Sequence, residues 1–331
     1  MEKAIAVVVS YNRQALLSEC INALRNQTKR PDAILVVNNG STDNTEAWLE
    51  SQDDVFYITQ KNLGSGGGFN TGITWAYQKG YSWIWCMDDD GYPKEDALEK
   101  LLANEGNERA LLNCAVLNKN DMRSFVWKTG KFATIDEVNE EVIEGIGHPF
   151  NGTLIHRSIV ERVGVPKSSL FLWGDETEYY YRIVKKNKYP VKTIASSIHY
   201  HPPAAFTYKK DWDFSSSWKM YFYIRNRFHV HKAKCTNRMS ALFNYTFFLL
   251  AFAGIIMVYQ RSDKMKKLGF MLWPAVDAVR SNFTVTPPEI LSRLREGDTR
   301  STFKITLYFK NIWLAIFSPY TLMKRAETAN A

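Results

Sequence analysis

Residues 83–90 read WIWCMDDD, an apolar run that is followed at once by three adjacent carboxylates. A short apolar run bounded by polar residues is typical of a strand buried in a sheet. Adjacent carboxylates repel each other unless a cation neutralises them, and such oxygen ligands suit Mg²⁺ or Mn²⁺ shared with substrate phosphates. The stretch therefore predicts a strand that ends at a metal site, against the plainer alternative of a solvated acidic turn that caps the next helix.

Three further apolar runs precede this strand, and each is followed by a segment with helical spacing. The predicted strands are Ala4–Ser10, Ala33–Asn38 and Val55–Thr59, and the predicted helices are Gln14–Asn26, Thr45–Ser51 and Gly64–Lys79. Strands that alternate with helices form βα units and a mostly parallel sheet. The loops after these strands are polar or glycine-rich, and open α/β sheets bind ligands at that end. Residues 1–90 therefore predict a nucleotide-binding half-domain.

The rest of the chain changes character after about residue 205. Before that point it holds predicted strands at Ala110–Leu117, Thr153–His156 and Lys192–His199 and a predicted helix at Glu178–Lys186. After it come apolar, aromatic stretches with basic residues nearby, at Ser240–Gln260, Gly269–Val279 and Ile305–Met323. We expect an α/β domain over 1–205 and a helical, basic and aromatic region over 206–331 that serves acceptor or membrane association.

The composition limits the class of protein. The 331 residues are 45% apolar and 23% charged, which is close to the globular average and argues against a disordered or collagen-like chain. Aromatic residues reach 14%, and 42 basic against 34 acidic residues leave a formal charge of +8. A basic, aromatic chain suits nucleic acid, a membrane surface or stacking on sugar and base rings.

The cysteines and the N-terminus indicate a compartment. The four cysteines are scattered and form no CxxC pair, which argues against a zinc site or a disulfide framework. The apolar run at the N-terminus is too short for the apolar region of a signal peptide. We therefore expect a protein of the reducing cytoplasm.

A glycine-rich segment follows the third predicted strand. Residues 62–72 read NLGSGGGFNTG. Glycines let backbone N–H groups approach a ligand, and the N-terminus of the following helix favours negative charge. The segment is neither a GxGxxG fingerprint nor a P-loop. It predicts a phosphate-binding turn, against the alternative of a plain flexible loop.

Two later motifs could carry chemistry. Residues 173–179 read WGDETEY, in which a carboxylate could act as a general base or could serve only as a dipole partner at a helix start. His199 and His201 occupy alternate positions of a predicted strand, so both imidazoles lie on one face. Beside a predicted metal site, at least one of these histidines is expected to be a ligand.

The ordered set of motifs resembles the family 2 glycosyltransferases, which have the GT-A fold. The motifs are Val8–Arg13, Asn38–Asp43, Asn62–Gly64, Asp88–Asp90 and Gly174–Glu176, and the resemblance covers roughly residues 3–230. Within the family, the segments Leu170–Tyr179 and Tyr221–Arg227 look most like galactofuranosyltransferases. Rhamnosyltransferases share much of this pattern. The resemblance implies a Rossmann-like nucleotide-binding domain, a nucleotide-sugar donor, a divalent metal and inversion at the anomeric carbon.

The resemblance also implies which residues bind the donor. The residues expected around the base and ribose are Ser10, Tyr11, Asn12, Arg13, Asn38, Asn39 and Asp43. Those expected near the diphosphate are Asn62, Gly64, Gly67, Gly68 and Asn70. Asp88 and Asp89 would lie near the ribose and the donor sugar. Many relatives carry an acid where this chain has Asn38, so the resemblance does not fix the base.

The remaining implied roles concern metal, base and acceptor. Asp90 would ligate Mn²⁺ or Mg²⁺ together with His201, or with His199 as the alternative. The family's base falls on Glu176, where relatives usually have Asp, and Asp175 is the alternative. The acceptor sugar would stack on the aromatic residues of this motif, which are Trp173 and Tyr179.

These implications define the expected function. It is metal-dependent, inverting transfer of galactofuranose from UDP-galactofuranose to a hydroxyl of a lipid-linked glycan in bacterial cell-surface polysaccharide synthesis. The alternative donor is dTDP-rhamnose. The alternative class is a sugar-phosphate nucleotidyltransferase, but Ser10–Arg13 lacks the Gly-rich, Arg/Lys-containing loop of that class. A nucleic-acid binder would leave the three acids unexplained, so we expect no nucleic-acid partner.

The basic residues of Lys264–Lys267 and Lys304–Arg325 favour attachment to an anionic bilayer. We therefore expect a peripheral position on the inner face of the cell membrane. A buried helix or a homo-oligomer interface is the alternative explanation of the same apolar sequence.

Overall fold

The computed structural model describes residues 2–106, 109–203 and 210–296. Its contacts divide the chain into two compact units, Met1–Phe171 with Asp175–Ala205 and Leu172–Gly174 with Phe206–Ala331. The division falls where the sequence places its domain boundary, except that Leu172–Gly174 groups with the second unit. The expected apolar stretch Ile305–Met323 and the basic residues of Lys304–Arg325 lie outside the described residues.

The first unit contains a sheet of eleven strands among the described residues. They are β1 Ala4–Ser10, β2 Ala33–Asn38, β3 Phe56–Thr59, β4 Trp83–Asp88, β5 Tyr92–Pro93, β6 Leu111–Asn118, β7 Ser124–Thr129, β8 Phe132–Thr134, β9 Val142–Glu144, β10 Asn151–His156 and β11 Val191–His201. The first four strands match the sequence prediction closely. The short strands β5 and β7–β9 carry too few apolar residues to be predicted from periodicity.

Six α-helices accompany this sheet in the described part of the first unit. They are α1 Gln14–Arg25, α2 Thr45–Glu50, α3 Gly64–Gln78, α4 Ala97–Ala103, α5 Arg157–Val163 and α6 Asp175–Tyr181. The predicted helix Glu178–Lys186 begins three residues earlier than expected, at Asp175, and its last turn, Arg182–Lys186, is a π-helix. The acidic motif therefore forms the first turn of α6 rather than the loop before it.

The strand order explains how distant motifs meet. The main path of the sheet is β3-β2-β1-β4-β10-β6-β11-β5. β1 pairs in parallel with β2 and β4, whereas β10 is antiparallel to both β4 and β6. β4 and β6 therefore run in the same direction, and β11 is parallel to β6. The carboxyl ends of β1, β2, β4 and β11 consequently lie at the same edge of the sheet.

The core lies on both faces of this sheet. Ala4, Ala6 and Val8 of β1 pack on one face, with the apolar side of α1. The alternate residues of β1 pack on the other face, where Phe69 and Ile73 of α3 cover them. A strand that is buried on both faces is apolar throughout rather than alternating, which is why β1 is Val-rich along its length.

The second unit is helical in its described residues, as the sequence predicts. Its helices are α7 Lys219–Lys234, α8 Arg238–Tyr259, α9 Lys264–Arg280 and α10 Pro287–Arg295. Phe228, Leu242, Tyr245 and Val279 belong to the core that joins α7, α8 and α9. Of the described helices, α8 alone is long and apolar enough to cross a membrane, and 28% of its most apolar window is buried in the protein.

Buried polar contacts stabilise this helical unit. The Tyr221 hydroxyl donates to Asp277 Oδ2 at 2.6 Å. The ammonium of Lys267 has no exposed side-chain surface, and it donates to Asp211 Oδ1 at 2.8 Å and to Gln260 Oε1 at 3.0 Å. Buried charges of this kind are tolerated because they are paired and hydrogen-bonded.

The packing of α3 on the sheet generates a stability prediction. A Cβ at Gly72 would lie 2.4 Å from Val7 Cγ1 and 3.2 Å from Val37 Cγ2, both in the core. We expect overpacking in Gly72→Ala to lower the free energy of unfolding by about 1–3 kcal/mol. The higher helix propensity of alanine offsets up to about 1 kcal/mol of this loss. Urea denaturation measures the change.

Gly254→Ala in α8 is the matched control, because a Cβ there meets nothing within 4 Å among the described residues. This variant should be neutral or more stable by up to about 1 kcal/mol. Equal effects of the two substitutions would show that close packing at Gly72 is not the constraint.

Candidate active site

The three acids lie at the sheet edge and are held there by the loop after β1. Ser10 Oγ donates to Asp89 Oδ2 at 2.8 Å. Arg13 Nη1 donates to Asp89 Oδ1 at 3.2 Å and to Asp90 Oδ2 at 2.6 Å, so one guanidinium spans two carboxylates. Ser10 is only 1% exposed, which corrects its expected role at the base or ribose. It acts on Asp89 instead, and the guanidinium of Arg13 likewise serves the acids.

The three carboxylates differ in their affinity for a proton. Burial, together with the charges of Asp90 and Asp89, raises the pKa of Asp88 well above its usual range. Burial raises the pKa of Asp89 to about 6 although the Arg13 guanidinium opposes the shift. At Asp90 the effect of burial is outweighed by His201 and Arg13, and the pKa falls to about 2. One guanidinium and one imidazole face three acids, so a divalent cation would complete the charge balance.

The end of β11 brings His201 to Asp90. His201 Nε2 lies 3.3 Å from Asp90 Oδ1, and His201 Nδ1 lies 2.7 Å from the carbonyl oxygen of Pro202. A carbonyl only accepts, so Nδ1 donates to it, and the lone pair that a cation would use is that of Nε2, which faces Asp90. Asp90 Oδ1 is buried and has no hydrogen-bond partner among the described residues.

An imidazole lone pair and an unpartnered carboxylate oxygen that face each other suit a shared cation. The described residues contain no group of three or more His, Cys, Asp or Glu side chains that could hold a metal ion. Mg²⁺ and Mn²⁺ need only one or two protein carboxylates or imidazoles when substrate phosphates and water supply the other ligands. Asp90 and His201 therefore fit a divalent cation that is shared with a diphosphate.

His199 does not fit the alternative ligand role. It is 0% exposed, and a Cβ added at Gly91 would lie 2.4 Å from its Nε2, so the ring faces closely packed backbone. Burial lowers its pKa to about 3, which keeps the ring neutral. A ligand needs an open approach to the metal and its substrate, and this histidine has none.

The loops after β1 and β2 are tied together by polar side chains. Asn12, in the left-handed region with φ 55°, accepts from the Thr42 backbone N–H at 2.6 Å, and its own N–H donates to Ser41 Oγ at 2.9 Å. Asp43 is exposed and accepts from the backbone N–H of Thr45 at 3.1 Å. Tyr11 stays 44% exposed beside these contacts and is free to stack on a base.

Asn38 and Asn39 support these loops rather than presenting their amides to a nucleotide. Asn38 is 0% exposed, and its Oδ1 accepts from the Ser41 N–H at 3.1 Å. Asn39 is 2% exposed and donates from Nδ2 to the Gly64 carbonyl at 2.8 Å. Both side chains thus spend their hydrogen bonds within their own loops, and their contacts to the donor stay a prediction.

The glycine-rich segment is the start of helix α3 rather than a phosphate cradle or a flexible loop. The Gly64 N–H donates to Asn62 Oδ1 at 2.9 Å, and the Gly66 N–H donates to the Phe171 carbonyl at 3.0 Å. Two of the N–H groups that a phosphate would need are thus already used. Asn62 remains exposed and can still face a ligand.

The later glycines serve close packing. A Cβ at Gly67 would lie 2.2 Å from Leu63 Cβ, and one at Gly68 would lie 2.4 Å from Val9 Cγ1. Asn70 is directed elsewhere, because its Nδ2 donates to the Pro166 carbonyl at 2.8 Å. The expected diphosphate contacts of Gly67, Gly68 and Asn70 are therefore corrected to structural roles.

The two adjacent acids of α6 have different environments. Asp175 is 0% exposed and accepts from Ser65 Oγ at 2.8 Å. Burial and the neighbouring Glu176 raise the pKa of Asp175 well above its usual range, which makes it harder to ionise than an exposed carboxyl. Glu176 is partly exposed, and its Oε1 accepts from Thr177 Oγ1 at 3.2 Å. The structure therefore favours Glu176 over Asp175 as the base.

The two aromatic candidates for acceptor stacking differ as well. Tyr179 is 0% exposed in the core, and its hydroxyl donates to the Gly164 carbonyl at 3.1 Å, so its expected acceptor contact is wrong. Trp173 belongs to the second unit and is partly exposed. Its ring meets Tyr223 edge-on with centroids 6.2 Å apart. Its role toward an acceptor stays a prediction.

The structure adds residues that sequence reasoning missed. Trp127 of β7 lies between two imidazoles, with its ring centroid 5.0 Å from that of His201 and 5.4 Å from that of His148. Asn151 opposes Met87 in the sheet, next to Asp88, and its buried Oδ1 has no partner among the described residues. The antiparallel pairing of β10 with β4 places Asn151 beside the acids, and no local sequence pattern predicts this pairing.

Comparison with known proteins identifies the family. The family description "Glycosyl transferase family 2" matches residues 5–164. Galactofuranosyltransferase GlfT1 of Mycolicibacterium smegmatis is 31% identical over 216 residues, which cover 61% of this chain and 71% of that protein. The chain belongs to glycosyltransferase family 2.

A further relative and a solved structure of similar fold extend the comparison. The GalNAc(5)-diNAcBac-PP-undecaprenol beta-1,3-glucosyltransferase of Campylobacter jejuni is 28% identical over 130 residues, 37% of this chain and 41% of that protein. The structure of S. aureus TarS 1-349 in complex with UDP-GlcNAc matches with a TM-score of 0.56 at 14% identity, and covers 90% of this chain and 88% of that one.

These matches confirm the predicted family and the predicted fold. The chain is an inverting glycosyltransferase with a Rossmann-like GT-A domain, a mostly parallel central sheet and C-terminal helices. The nucleotidyltransferase alternative is therefore wrong.

The burial of Asp175 generates a prediction on pH and stability. The native state keeps a proton that the unfolded chain releases above about pH 4. The contribution of this group thus makes the native state less stable as the pH rises, by at most about 1.4 kcal/mol per pH unit. We expect Asp175→Asn, which mimics the protonated acid, to remove this dependence, so that its stability relative to wild type increases with pH in urea denaturation.

Asp175→Ala is the control for shape and hydrogen bonding. It too lacks the titrating carboxyl, so its stability relative to wild type should rise with pH as that of Asp175→Asn does, but from a value about 1–3 kcal/mol lower because the contact with Ser65 Oγ is lost. A constant difference in stability between Asp175→Asn and wild type from pH 4 to pH 8 would show that Asp175 is not protonated in the native state.

Proposed function

We propose that this enzyme transfers galactofuranose from UDP-galactofuranose to a hydroxyl of a lipid-linked glycan, with a divalent cation at Asp90 and His201. The donor sugar is supported by the 31% identity to a galactofuranosyltransferase. A lipid-linked acceptor is supported by the name of the Campylobacter relative, which acts on an undecaprenol-linked glycan. The observation that carries the metal-dependent mechanism is the facing pair of Asp90 Oδ1 and His201 Nε2, 3.3 Å apart.

The residues at the sheet edge bind and orient the donor. Mn²⁺ or Mg²⁺, when bound by Asp90 and His201, would neutralise the diphosphate that leaves. Arg13 holds the Asp90 carboxylate from the other side, through Oδ2, and leaves Oδ1 directed at His201. Tyr11, exposed at the end of β1, stacks on the base. Ser10 fixes Asp89, which lies close to the donor sugar in this arrangement.

Glu176 removes the proton from the acceptor. Its carboxylate accepts the hydroxyl proton as the acceptor oxygen attacks the anomeric carbon from the face opposite the diphosphate, which inverts the configuration. The raised pKa of buried Asp175 disfavours a second negative charge beside Glu176. A base without a second negative charge beside it repels the anionic donor less than a pair of charged carboxylates would.

The acceptor determines where the enzyme works. A lipid-linked glycan lies at the cytoplasmic face of the cell membrane, so the enzyme acts there as a peripheral protein. The long apolar helix α8 and the basic residues after it, Arg261, Lys264 and Lys266, support this location.

A donor screen tests the proposal. We expect turnover of UDP-galactofuranose with Mn²⁺ and little turnover of dTDP-rhamnose or UDP-pyranose donors, measured by release of the nucleoside diphosphate and by transfer to a glycan acceptor. Glu176→Gln should lower kcat by about 10²–10⁴-fold and leave UDP affinity unchanged, because the base acts only in the chemical step.

Glu161→Gln is the matched control, because Glu161 is an exposed carboxylate on α5. It should behave as wild type. Turnover of dTDP-rhamnose in place of the furanose donor would overturn the substrate, and full activity of Glu176→Gln would overturn the base.

Metal removal tests the role of Asp90. We expect EDTA to abolish turnover and Mn²⁺ to restore it. By titration calorimetry, Mn²⁺ should tighten UDP binding to wild type by about tenfold or more, and Asp90→Asn should lose this gain because the cation loses a charged ligand. Asp53→Asn, at an exposed carboxylate in the turn before β3, is the control. Undiminished turnover in EDTA would exclude the metal.

A further inference from the structure

Helix α8 exposes a continuous apolar face along its whole length. The exposed side chains are Met239, Phe243, Phe247, Leu250, Met257 and Val258. Successive members from Met239 to Met257 are four, four, three and seven residues apart, which places them on one side of the helix. Phe243, Phe247 and Leu250 are 75%, 67% and 68% exposed, which is unusual for large apolar residues that recur in one stripe. At about 1.5 Å per residue the stripe is about 33 Å long.

The opposite face of α8 is built into the protein. Leu242, Tyr245 and Ile256 are buried, and the Tyr245 hydroxyl donates to the carbonyl of Ile224 in α7 at 3.1 Å. α7 and α9 pack along this face. One face of α8 is therefore packed into the unit, and the other face exposes apolar side chains.

This packing argues against α8 crossing a bilayer. Its neighbours carry charged side chains away from the two ends of α8, including partly exposed Arg227 in the middle of α7. If α8 spanned the membrane, these helices would be drawn into the hydrocarbon with it, and each charge would cost several kcal/mol there. A helix with one apolar face and charged neighbours suits the interface instead.

Basic residues flank the stripe at both ends. Between residues 232 and 266 the basic residues are Lys232, Lys234, Arg238, Arg261, Lys264 and Lys266, and the only acid is Asp263. The formal charge of this segment is 6 − 1 = +5. Lys and Arg at the two ends of an apolar surface match the phosphates of anionic headgroups around an acyl layer.

The dimensions favour a bilayer over a second copy of the chain. A stripe about 33 Å long and about 10 Å wide would bury about 330 Å² on each partner. A stable protein interface buries about 800 Å² per partner. A membrane requires no such complementary area, because it covers whatever apolar surface enters it.

We propose that the exposed face of α8 lies in the interfacial layer of an anionic bilayer, with the helix axis along the membrane surface and its basic ends on headgroup phosphates. The inference rests on the proposed function only in that a lipid-linked acceptor gives the contact its purpose. The contact surface is the exposed face of α8, and the helix lies in the plane of the membrane rather than across it.

Vesicle sedimentation of the full chain tests the apolar face. Vesicles of phosphatidylcholine with phosphatidylglycerol should bind wild type, and vesicles of phosphatidylcholine alone should bind it much more weakly. The triple variant Phe243→Ser, Phe247→Ser, Leu250→Ser should lose at least about tenfold in partitioning, because three large side chains no longer enter the layer. Circular dichroism and the melting temperature establish that the variant is folded.

A control variant removes three large, exposed apolar side chains from the first unit. Phe56→Ser, Tyr57→Ser and Met122→Ser, at residues 54%, 39% and 53% exposed, should together leave partitioning unchanged. Unchanged binding of the α8 variant, or equal loss in the control, would overturn the proposal and assign the membrane contact to another part of the chain.

The basic ends allow a second test that leaves the apolar face intact. Lys264→Gln and Lys266→Gln should each weaken binding to the anionic vesicles by about fivefold, and added salt should weaken wild type in the same way. Binding that is independent of charge and salt would overturn the anionic bilayer as the partner.

Two further readouts separate the other occupants of the face. Light scattering without lipid should give the same molecular mass for wild type and the α8 triple variant. A dimeric wild type and a monomeric variant would instead show that a second copy of the chain covers this face. Membrane-bound protein should be released by alkaline carbonate, and resistance to release would indicate a span. Either result would overturn the proposal.

The transferase reaction is measured in parallel with a water-soluble acceptor. The α8 triple variant should keep its turnover of UDP-galactofuranose while it loses vesicle binding. If neither protein turns over the donor, the proposed function is wrong. The vesicle result would still decide whether the exposed face of α8 binds the membrane.

Discussion

Three adjacent carboxylates at the end of β4 are the constraint on which the site depends. Their mutual repulsion must be offset, and the sheet does this by directing the ends of β1 and β11 to the same edge. Arg13, after β1, bridges Asp89 and Asp90, and His201, at the end of β11, approaches Asp90 from the other side. The antiparallel strand β10 makes this possible, because it keeps β4, β6 and β11 in one direction. The order and direction of the strands therefore bring Arg13 and His201 to the edge where the three acids lie.

The glycine-rich start of α3 connects this edge to the acidic motif. A Cβ at Gly64 would lie 2.1 Å from the Phe171 carbonyl oxygen, so the segment before α6 can approach only because the residue is glycine. Ser65 then reaches Asp175, and the Gly66 N–H binds the Phe171 carbonyl. The glycines thus position Glu176 indirectly. They do so by fixing the backbone and the buried acid just before it.

The order of strands and the place of the site could be predicted from the sequence, because apolar runs and the polar residues after them are local signals. The roles of individual residues were harder to predict. Asn39 and Gly68 are residue types that suit a ligand site and a tightly packed loop equally well, and only the burial of Asn39 and the contact of Gly68 with Val9 distinguish the two. Tyr179 was misassigned for the same reason. Periodicity could not reveal Trp127, since β7 is short and half-buried and its pairing is non-local.

Burial also explains how two neighbouring acids come to have separate tasks. If Asp175 and Glu176 both carried a charge, they would repel each other at the start of α6. The structure encloses Asp175 completely, where desolvation raises its pKa, and leaves Glu176 partly exposed. An environment that separates the proton affinities of adjacent carboxyl groups is a usual way to assign one of them to proton transfer. Ser65, through its hydrogen bond, and Gly66, through its close approach, are therefore part of what encloses Asp175.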